Sequence, residues 1–457
     1  MSDGQKRGFG AVLPIVLLGY FLILMDNSVV FTSSLSIALE LGMDSVAVSW
    51  VSTAYALTFG GFLLLGGRLG DILGRRRIFL AGLVVFTVAS FLVGAATSGS
   101  MLVAMRAIQG MGSSMLAPST LALLIDNYEG EMRTRSIAAY GTVAGIGSSV
   151  GMVLSGFITA YASWRYAFYI DVPVGVLLIV LTLRFIRSKN GSDSADVDWV
   201  GAILSVIGFA GLIYGIDGRV GREISMAIAV VTLAALVLRE RRAQVPLMPL
   251  GLFANLGRSA AYVGRFLMMG ASMSYFFLMP TALQQVYGFT PLMAAIGFLP
   301  LTVTQFFSSL TVPALTSRLS NARVLIMGSV IDALGLLLGW RMGVTAGYLL
   351  GVAISMVLIG MGQALIVSPL TVAGVAGASE DIPGAASGVV NVFHQVGAAI
   401  GLAAVSTAVA GMDEAASIDA AQGMMLALIV LTGICGVLVL VSESCGKRLA
   451  AAACPSK

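Results

Sequence analysis

Gly67-Arg-Leu-Gly-Asp-Ile-Leu-Gly-Arg-Arg-Arg77 is the stretch from which the fold is read. It separates two apolar runs, near 47–67 and 77–97, each about the ~20 residues that an α-helix needs to cross ~30 Å of hydrocarbon. Its arginines anchor the segment on the cytoplasmic side, where the short loops of membrane proteins concentrate positive charge. Gly67 and Gly74 permit a tight turn and a close approach of the two helices. Asp71 is placed to meet those arginines or the N-terminus of a neighbouring helix. The segment reads as the inner turn of a membrane hairpin.

The same reading extends outward along the chain. Apolar runs of membrane-spanning length recur near 11–38, 47–67, 77–97, 101–125, 136–160, 166–186 and 198–217, then near 222–239, 259–285, 292–315, 323–342, 346–370, 384–410 and 421–442. These predict 14 transmembrane helices. A hydrophobic content of 58%, with only 11% charged residues, and a mean hydropathy of +0.96 identify an all-α polytopic membrane protein rather than a string of soluble domains. The net charge of +4 belongs to membrane topology and not to nucleic-acid binding, because the basic residues sit in short loops between apolar runs. With the N-terminus in the cytoplasm, 20 of the 26 Lys and Arg fall on the cytoplasmic side. Four fall opposite, namely Arg165, Arg219, Arg222 and Arg341, while Arg106 and Arg265 lie inside helices. That bias predicts a multi-pass protein of the cell membrane with both termini cytoplasmic. Met1 to Arg7 and the run behind it resemble a signal peptide, but the run is too long and carries Asp26-Asn27-Ser28, so an uncleaved first helix is expected.

The polar stretch Ser188-Lys-Asn-Gly-Ser-Asp-Ser-Ala-Asp-Val-Asp198 divides six helices from the next pair. Six more follow Arg239-Glu-Arg-Arg242 and the amphipathic Pro246-Leu-Met-Pro-Leu-Gly-Leu-Phe253. The expected organisation is an N-terminal six-helix bundle over 1–187, a linker and inserted helix pair over 188–255, a C-terminal six-helix bundle over 256–443 and a cytoplasmic tail over 444–457. Repeats of this kind place a substrate site between the halves near the midplane. Cys435, Cys445 and Cys454 cluster near the C-terminus and imply neither a disulfide framework nor a metal site. The sequence has no Walker loop, metal-ligand cluster or nucleophile–base constellation, so neither an enzyme nor a cofactor is expected.

Asp26 is the feature that asks for a function. It lies near the middle of the first apolar run, where an ionised Asp costs at least ~2.5 kcal/mol and is by default a functional residue. Arg106 lies in Leu102-Val-Ala-Met-Arg-Ala-Ile-Gln-Gly-Met-Gly112, with Gln109 three residues on. At 1.5 Å per residue, Asp26 sits roughly 22 Å and Arg106 roughly 21 Å from the cytoplasmic boundary. The two are level, and a pair formed directly or through water is expected, with a proton-coupling role. Asp332 and Arg265, at roughly 12 Å and 9 Å, are expected to neutralise one another, unless Arg265 snorkels to the interface. His394, with Asn391 and Gln395 beside it, reads either as a proton relay or as a hydrogen-bonded structural histidine. Met269, Met273 and Tyr275 belong to a Met- and aromatic-rich stretch that suits either packing or a pocket for apolar or cationic molecules. Tyr55, Gln109, Gln305 and Gln363 are further polar candidates for a cavity lining, as are Asp332, Asn391 and His394.

The 67–77 segment resembles the signature loop of the major facilitator superfamily, departing from it at Ile72, where a basic residue is common. The Arg106 segment is similar to that family's second motif. Gly141, Gly145, Gly147, Gly151 and Gly156 resemble the antiporter signature of drug-export members, except that Met152 and Ser155-Gly156 stand where that pattern has Pro and Gly-Gly. Further resemblances are Leu24-Met-Asp-Asn-Ser-Val-Val30, Trp50-Val-Ser-Thr-Ala-Tyr55, Trp164-Arg-Tyr-Ala-Phe-Tyr-Ile-Asp-Val-Pro-Val-Gly175 and Gly384-Ala-Ala-Ser-Gly-Val-Val-Asn-Val-Phe-His-Gln-Val-Gly397. In this order they look like the fourteen-helix drug:proton antiporter family. The resemblance implies a major facilitator fold of two six-helix bundles plus two inserted helices. It gives a conformational role to Gly67, Asp71, Gly74, Arg75 and Arg76, and proton coupling to Asp26 and Arg106. The function it implies is proton-driven efflux of amphiphilic or cationic drugs, antibiotics or natural products by alternating access. The alternative is a proton symporter importing a small anionic or zwitterionic solute, with Arg106 and Arg265 as anion contacts. The expected partners are a small-molecule substrate, protons and the lipid bilayer, and a monomer is expected.

Overall fold

The computed structural model describes residues 10–187, 198–217, 221–243, 248–376 and 383–453. Most of the charged linker, 188–197, and Cys454 lie outside the described residues. Within them every regular element is helical. The N-terminal half holds α1 (Val12–Leu41), α2 (Ser45–Leu73), α3 (Arg75–Gly94), α4 (Gly99–Asn127), α5 (Gly130–Tyr161), α6 (Trp164–Tyr169) and α7 (Asp171–Phe185). The pair α6 and α7 together make one apolar span, Trp164–Phe185. Next come α8 (Trp199–Asp217) and α9 (Arg222–Arg242). The C-terminal half holds α10 (Leu256–Gln285), α11 (Pro291–Leu319), α12 (Asn321–Met342), α13 (Ile354–Val375), α14 (Pro383–Val409) and α15 (Glu414–Ala453). Twelve spans are long and apolar enough to cross a membrane, and α5 and α9 complete the expected fourteen.

Local chemistry sets the helix ends. Asp44 caps α2 by accepting from Ala47 N at 2.8 Å, Asn255 caps α10 from Arg258 N at 3.0 Å, and Thr290 with Pro291 behind it starts α11. Each satisfies an amide that the first helical turn leaves without a partner. The expected inner loop is shorter than its sequence suggests. Gly67 to Leu73 continue α2, α3 starts at Arg75, and Gly74 alone turns the chain, at φ 95°. A side chain would be strained at that angle. α15 runs helical to Ala453, through most of the expected tail.

The two halves pack alike. In the first, α1 packs on α5, α2 on α4, and α3 on α4 and α7; in the second, α10 packs on α14, α11 on α13, and α12 on α13 and α15. The halves meet where α2 lies along α14, α5 along α11 and α1 along α10, and the α8–α9 hairpin rests on α2 and α14. Val180, Val231 and Val441 are among many large apolar side chains more than half exposed, as lipid-facing surfaces of a multi-pass membrane protein are.

Because lipid is as apolar as the helices, association depends on close contact between backbones. An added Cβ at Gly66 of α2 would fall 2.2 Å from Ser114 O of α4. We therefore expect Gly66→Ala to lower stability by about 1–3 kcal/mol, as overpacking does, read as a lower thermal unfolding midpoint in detergent. Gly251→Ala, where nothing lies within 4 Å of the added atom, is expected to leave the midpoint in place.

Candidate functional site

Arg106 and Gln109 are three residues apart, so α4 presents them on one face. That face meets Asp26 of α1. Arg106 Nη1 donates to Asp26 Oδ2 at 2.6 Å, and Gln109 Nε2 donates to Asp26 Oδ1 at 2.7 Å. Arg106 Nη1 also donates to Gln109 Oε1 at 2.6 Å, which closes a triangle. Gln109 Nε2 reaches on to Ser90 Oγ of α3 at 2.7 Å, and Arg106 Nε to Val51 O of α2 at 3.1 Å. All three side chains are 0% exposed. The direct pairing expected from depth is therefore present, with both carboxylate oxygens of Asp26 engaged. Gln109 and Tyr55, candidates for a cavity lining, are both buried in this cluster. The Tyr55 ring lies 4.3 Å beneath the Arg106 guanidinium, where an aromatic face attracts a cation, and its hydroxyl donates to Ser113 Oγ at 2.8 Å.

Sequence reasoning missed Asp171, the first residue of α7. Its side chain is wholly buried and faces Asp26 and Ser90. Neither of its carboxylate oxygens finds a hydrogen-bond donor. The signal lay in the Trp164–Gly175 motif, where Asp171 is a carboxylate inside the apolar run 166–186.

Toward the C-terminal end of α1 a row of hydroxyls ties the helices together. Ser155 Oγ of α5 lies 3.0 Å from Thr32 Oγ1, and Ser33 Oγ lies 2.8 Å from Thr159 Oγ1. The row crosses between the halves, with Ser34 Oγ 2.9 Å from Thr281 Oγ1 of α10 and Gln284 Nε2 donating to Thr32 O at 3.2 Å. Phe31 and Phe276 meet edge to face at 5.5 Å beside it.

At the opposite end, the arginines behind Gly74 clasp helix termini of their own bundle. Arg75 pairs with Asp126 at 2.6 Å and donates to Ala122 O at 3.0 Å, while Arg76 donates to Leu183 O at 2.8 Å. The last carbonyls of α4 and α7 lack helical partners and favour a cation. The backbone of Asp71 lies in the last turns of α2; its side chain is not among those described.

The expected neutralisation of Asp332 by Arg265 does not form. Arg265 turns toward α13 and α14, donating to Val367 O at 3.0 Å and meeting His394 Nδ1 at 2.8 Å. A guanidinium only donates, so Nδ1 accepts and His394 is a hydrogen-bonded partner of Arg265. Asp332 faces α13 instead, packed on Gly362, with neither oxygen hydrogen-bonded. Tyr275, of the cavity candidates, is buried close to Asp332. Gln305 and Gln363 meet at 3.5 Å. Met273 belongs to the core cluster shared by both halves and Met269 packs against it, while Asn391 is exposed.

A family model described as Major Facilitator Superfamily matches residues 16–402. The chain belongs to the Major Facilitator Superfamily. Members are transporters, not enzymes. Among curated relatives, the cephamycin export protein CmcT of Amycolatopsis lactamdurans is 33% identical over 86% of this chain and 84% of its own length. The puromycin resistance protein pur8 of Streptomyces alboniger is 31% identical over 89% of this chain and 82% of its own. The fold is shared with a solved proton dependent oligopeptide transporter, at a TM-score of 0.69 and 16% identity over 96% of this chain and 99% of that one.

Removing one partner of a buried pair leaves an uncompensated charge, at a cost of about 3–5 kcal/mol. Arg106→Gln is expected to lower stability on that scale. Adding Asp26→Asn should restore part of it, a coupling that a double-mutant cycle of thermal unfolding in detergent measures.

Proposed function

We propose that this major facilitator is a proton-coupled exporter of amphiphilic or cationic drugs, antibiotics or natural products. In this reading it works by alternating access in the cell membrane, as a monomer with both termini cytoplasmic, and the proton gradient supplies the energy without a cofactor. The observation that carries the reading is the Asp26–Arg106–Gln109 triangle on the same helix as the contact between halves. Protonating Asp26 cancels its charge-assisted bonds to Arg106, and Ser34, eight residues on, is ~12 Å further along α1. A proton bound to Asp26 thus changes the energy of one conformation more than another, as coupling requires.

The names of the relatives support export of antibiotics as the task. The engagement of both intramembrane arginines within the protein speaks against the symporter reading, which needs them for an anion. In the exporter, Gly67, Asp71, Gly74, Arg75 and Arg76 form the pivot at the inner end of α2 and α3, and Met269, Gln305, Gln363 and Asn391 belong to the half that adapts to the substrate.

In proteoliposomes, Asp26→Asn is expected to abolish pH-gradient-driven puromycin transport in protein that still elutes as a folded species, although its melting midpoint falls because Arg106 loses its partner. Full transport by that variant would remove Asp26 from coupling. In the double variant Ser34→Cys with Thr281→Cys, oxidation is expected to arrest transport and reductant to restore it. Unchanged transport with the disulfide formed would mean that this seam does not open.

A further inference from the structure

The mechanism above uses one carboxylate, but the site contains two. Asp26 and Asp171 are both 0% exposed and their side chains face one another. The groups around them are few. α4 supplies Arg106, α2 supplies Tyr55, and α3 supplies the hydroxyl of Ser90. Arg106 is thus the single cation for two carboxyl groups. Its ion pair is with Asp26, whose second oxygen is taken by Gln109, while both oxygens of Asp171, and Nη2 of Arg106, lie without a partner.

Two ionised carboxylates in contact at that depth, with one charge uncompensated, would be untenable. A like charge in a shared site disfavours ionisation of one member of the pair, and a buried carboxylate without a donor loses its hydration with no return. One proton removes both problems. Placed on Asp171, it makes that group the missing donor and leaves the cluster neutral, with Asp26 ionised against Arg106.

We propose that Asp171 and Asp26 form a single proton-binding site, in which Asp171 carries the proton in this conformation and hydrogen-bonds through it to Asp26. Moving that proton breaks the O–H bond on Asp171 and makes one on Asp26. The total charge is unchanged, but the negative charge shifts from beside Arg106 onto α7. The ion pair between α1 and α4 is thereby released without a proton entering from outside. Its use in transport rests on the exporter reading; the shared proton does not.

The test therefore needs no substrate. Infrared spectra of the purified protein at neutral pH are recorded in an Asp332→Asn background, which removes the other described carboxyl lacking a partner at both oxygens. The carbonyl stretch of a protonated carboxylic acid is expected there, and adding Asp171→Asn is expected to remove it. Asp26→Asn is also expected to remove it, because Asp171 is then the only anion beside Arg106 and ionises. Absence of the band in the parent would mean that Asp171 is ionised. Survival of the band in Asp171→Asn would place the proton elsewhere. Survival in Asp26→Asn would show that Asp171 holds its proton without the partner. Any of these three overturns the proposal. Should Asp171→Asn fail to fold, the Asp26→Asn arm decides alone. Failure of puromycin transport leaves all arms readable, so the two readings stand or fall separately.

Discussion

A fully buried ion pair is stable only when its geometry is nearly complete, because each desolvated ion forfeits several kcal/mol of hydration. In the triangle of Asp26, Arg106 and Gln109 both carboxylate oxygens are bonded and only Nη2 of Arg106 lacks a partner, and the packing of the N-terminal bundle is arranged around it. Gly110 follows Gln109 directly, and a Cβ there would lie 2.4 Å from Tyr55 O. That approach brings α4 against α2, which is what lets Arg106 Nε reach Val51 O and the guanidinium lie on Tyr55. Two residues further on, an added Cβ at Gly112 would fall 2.7 Å from Phe86 N of α3. The same closeness puts Ser90 within reach of Gln109. The glycines and the charges are one device: without backbone contact, the polar groups would be too far apart to satisfy each other.

The second bundle repeats the helix pairings but not the chemistry. Its basic residue, Arg265, is bound to a neutral imidazole and a carbonyl, and its acid, Asp332, packs on a glycine one helix away. The amides of Gln305 and Gln363 meet only at the limit of a hydrogen bond. Around them the core holds Met268, Met273, Met279 and Tyr275, whose flexible or broad apolar groups repack at low cost. One half concentrates fixed charge, and the other concentrates adaptable surface.

The number of spans was legible because membrane-spanning helices announce themselves by length and hydropathy. The Asp26–Arg106 pair was legible because depth follows from residue count. Which way a side chain faces was not legible. Helices apolar on every side carry no periodic signal of rotation, so Arg265 and Asp332, plausible partners by depth, could not be seen to face different helices. For the same reason the burial of Tyr55 and Gln109 beside Arg106 could not be seen. Asp171 escaped although it lies inside the apolar run 166–186, because residue count gives depth and not the helix that a side chain faces. Its burial arises only from the packing of α7 on α1 and α3, a tertiary fact. The inner loop misled in the other direction, since its charged residues are compatible with helix and only Gly74 requires a turn.

The departure at Met152 and Ser155 from the antiporter-like pattern has a structural consequence. Ser155 bonds to Thr32, and Thr159 to Ser33, so hydrogen bonds as well as packing fasten α5 to the C-terminal part of α1. Lower down, Gly147 and Gly151 seat α5 against Leu24 and Met25, the two residues before Asp26. An added Cβ at Gly156 would lie 2.8 Å from Pro291 O of α11. The helix thus touches the segment carrying the ion pair at one point and the opposite half at another. In the alternating access proposed above, a rocking of one bundle against the other would carry α1 and α5 as a unit. Any change in charge at Asp26 then acts on a two-helix lever that crosses the seam with α10 and with α11, rather than on a single helix free to slide past its neighbour.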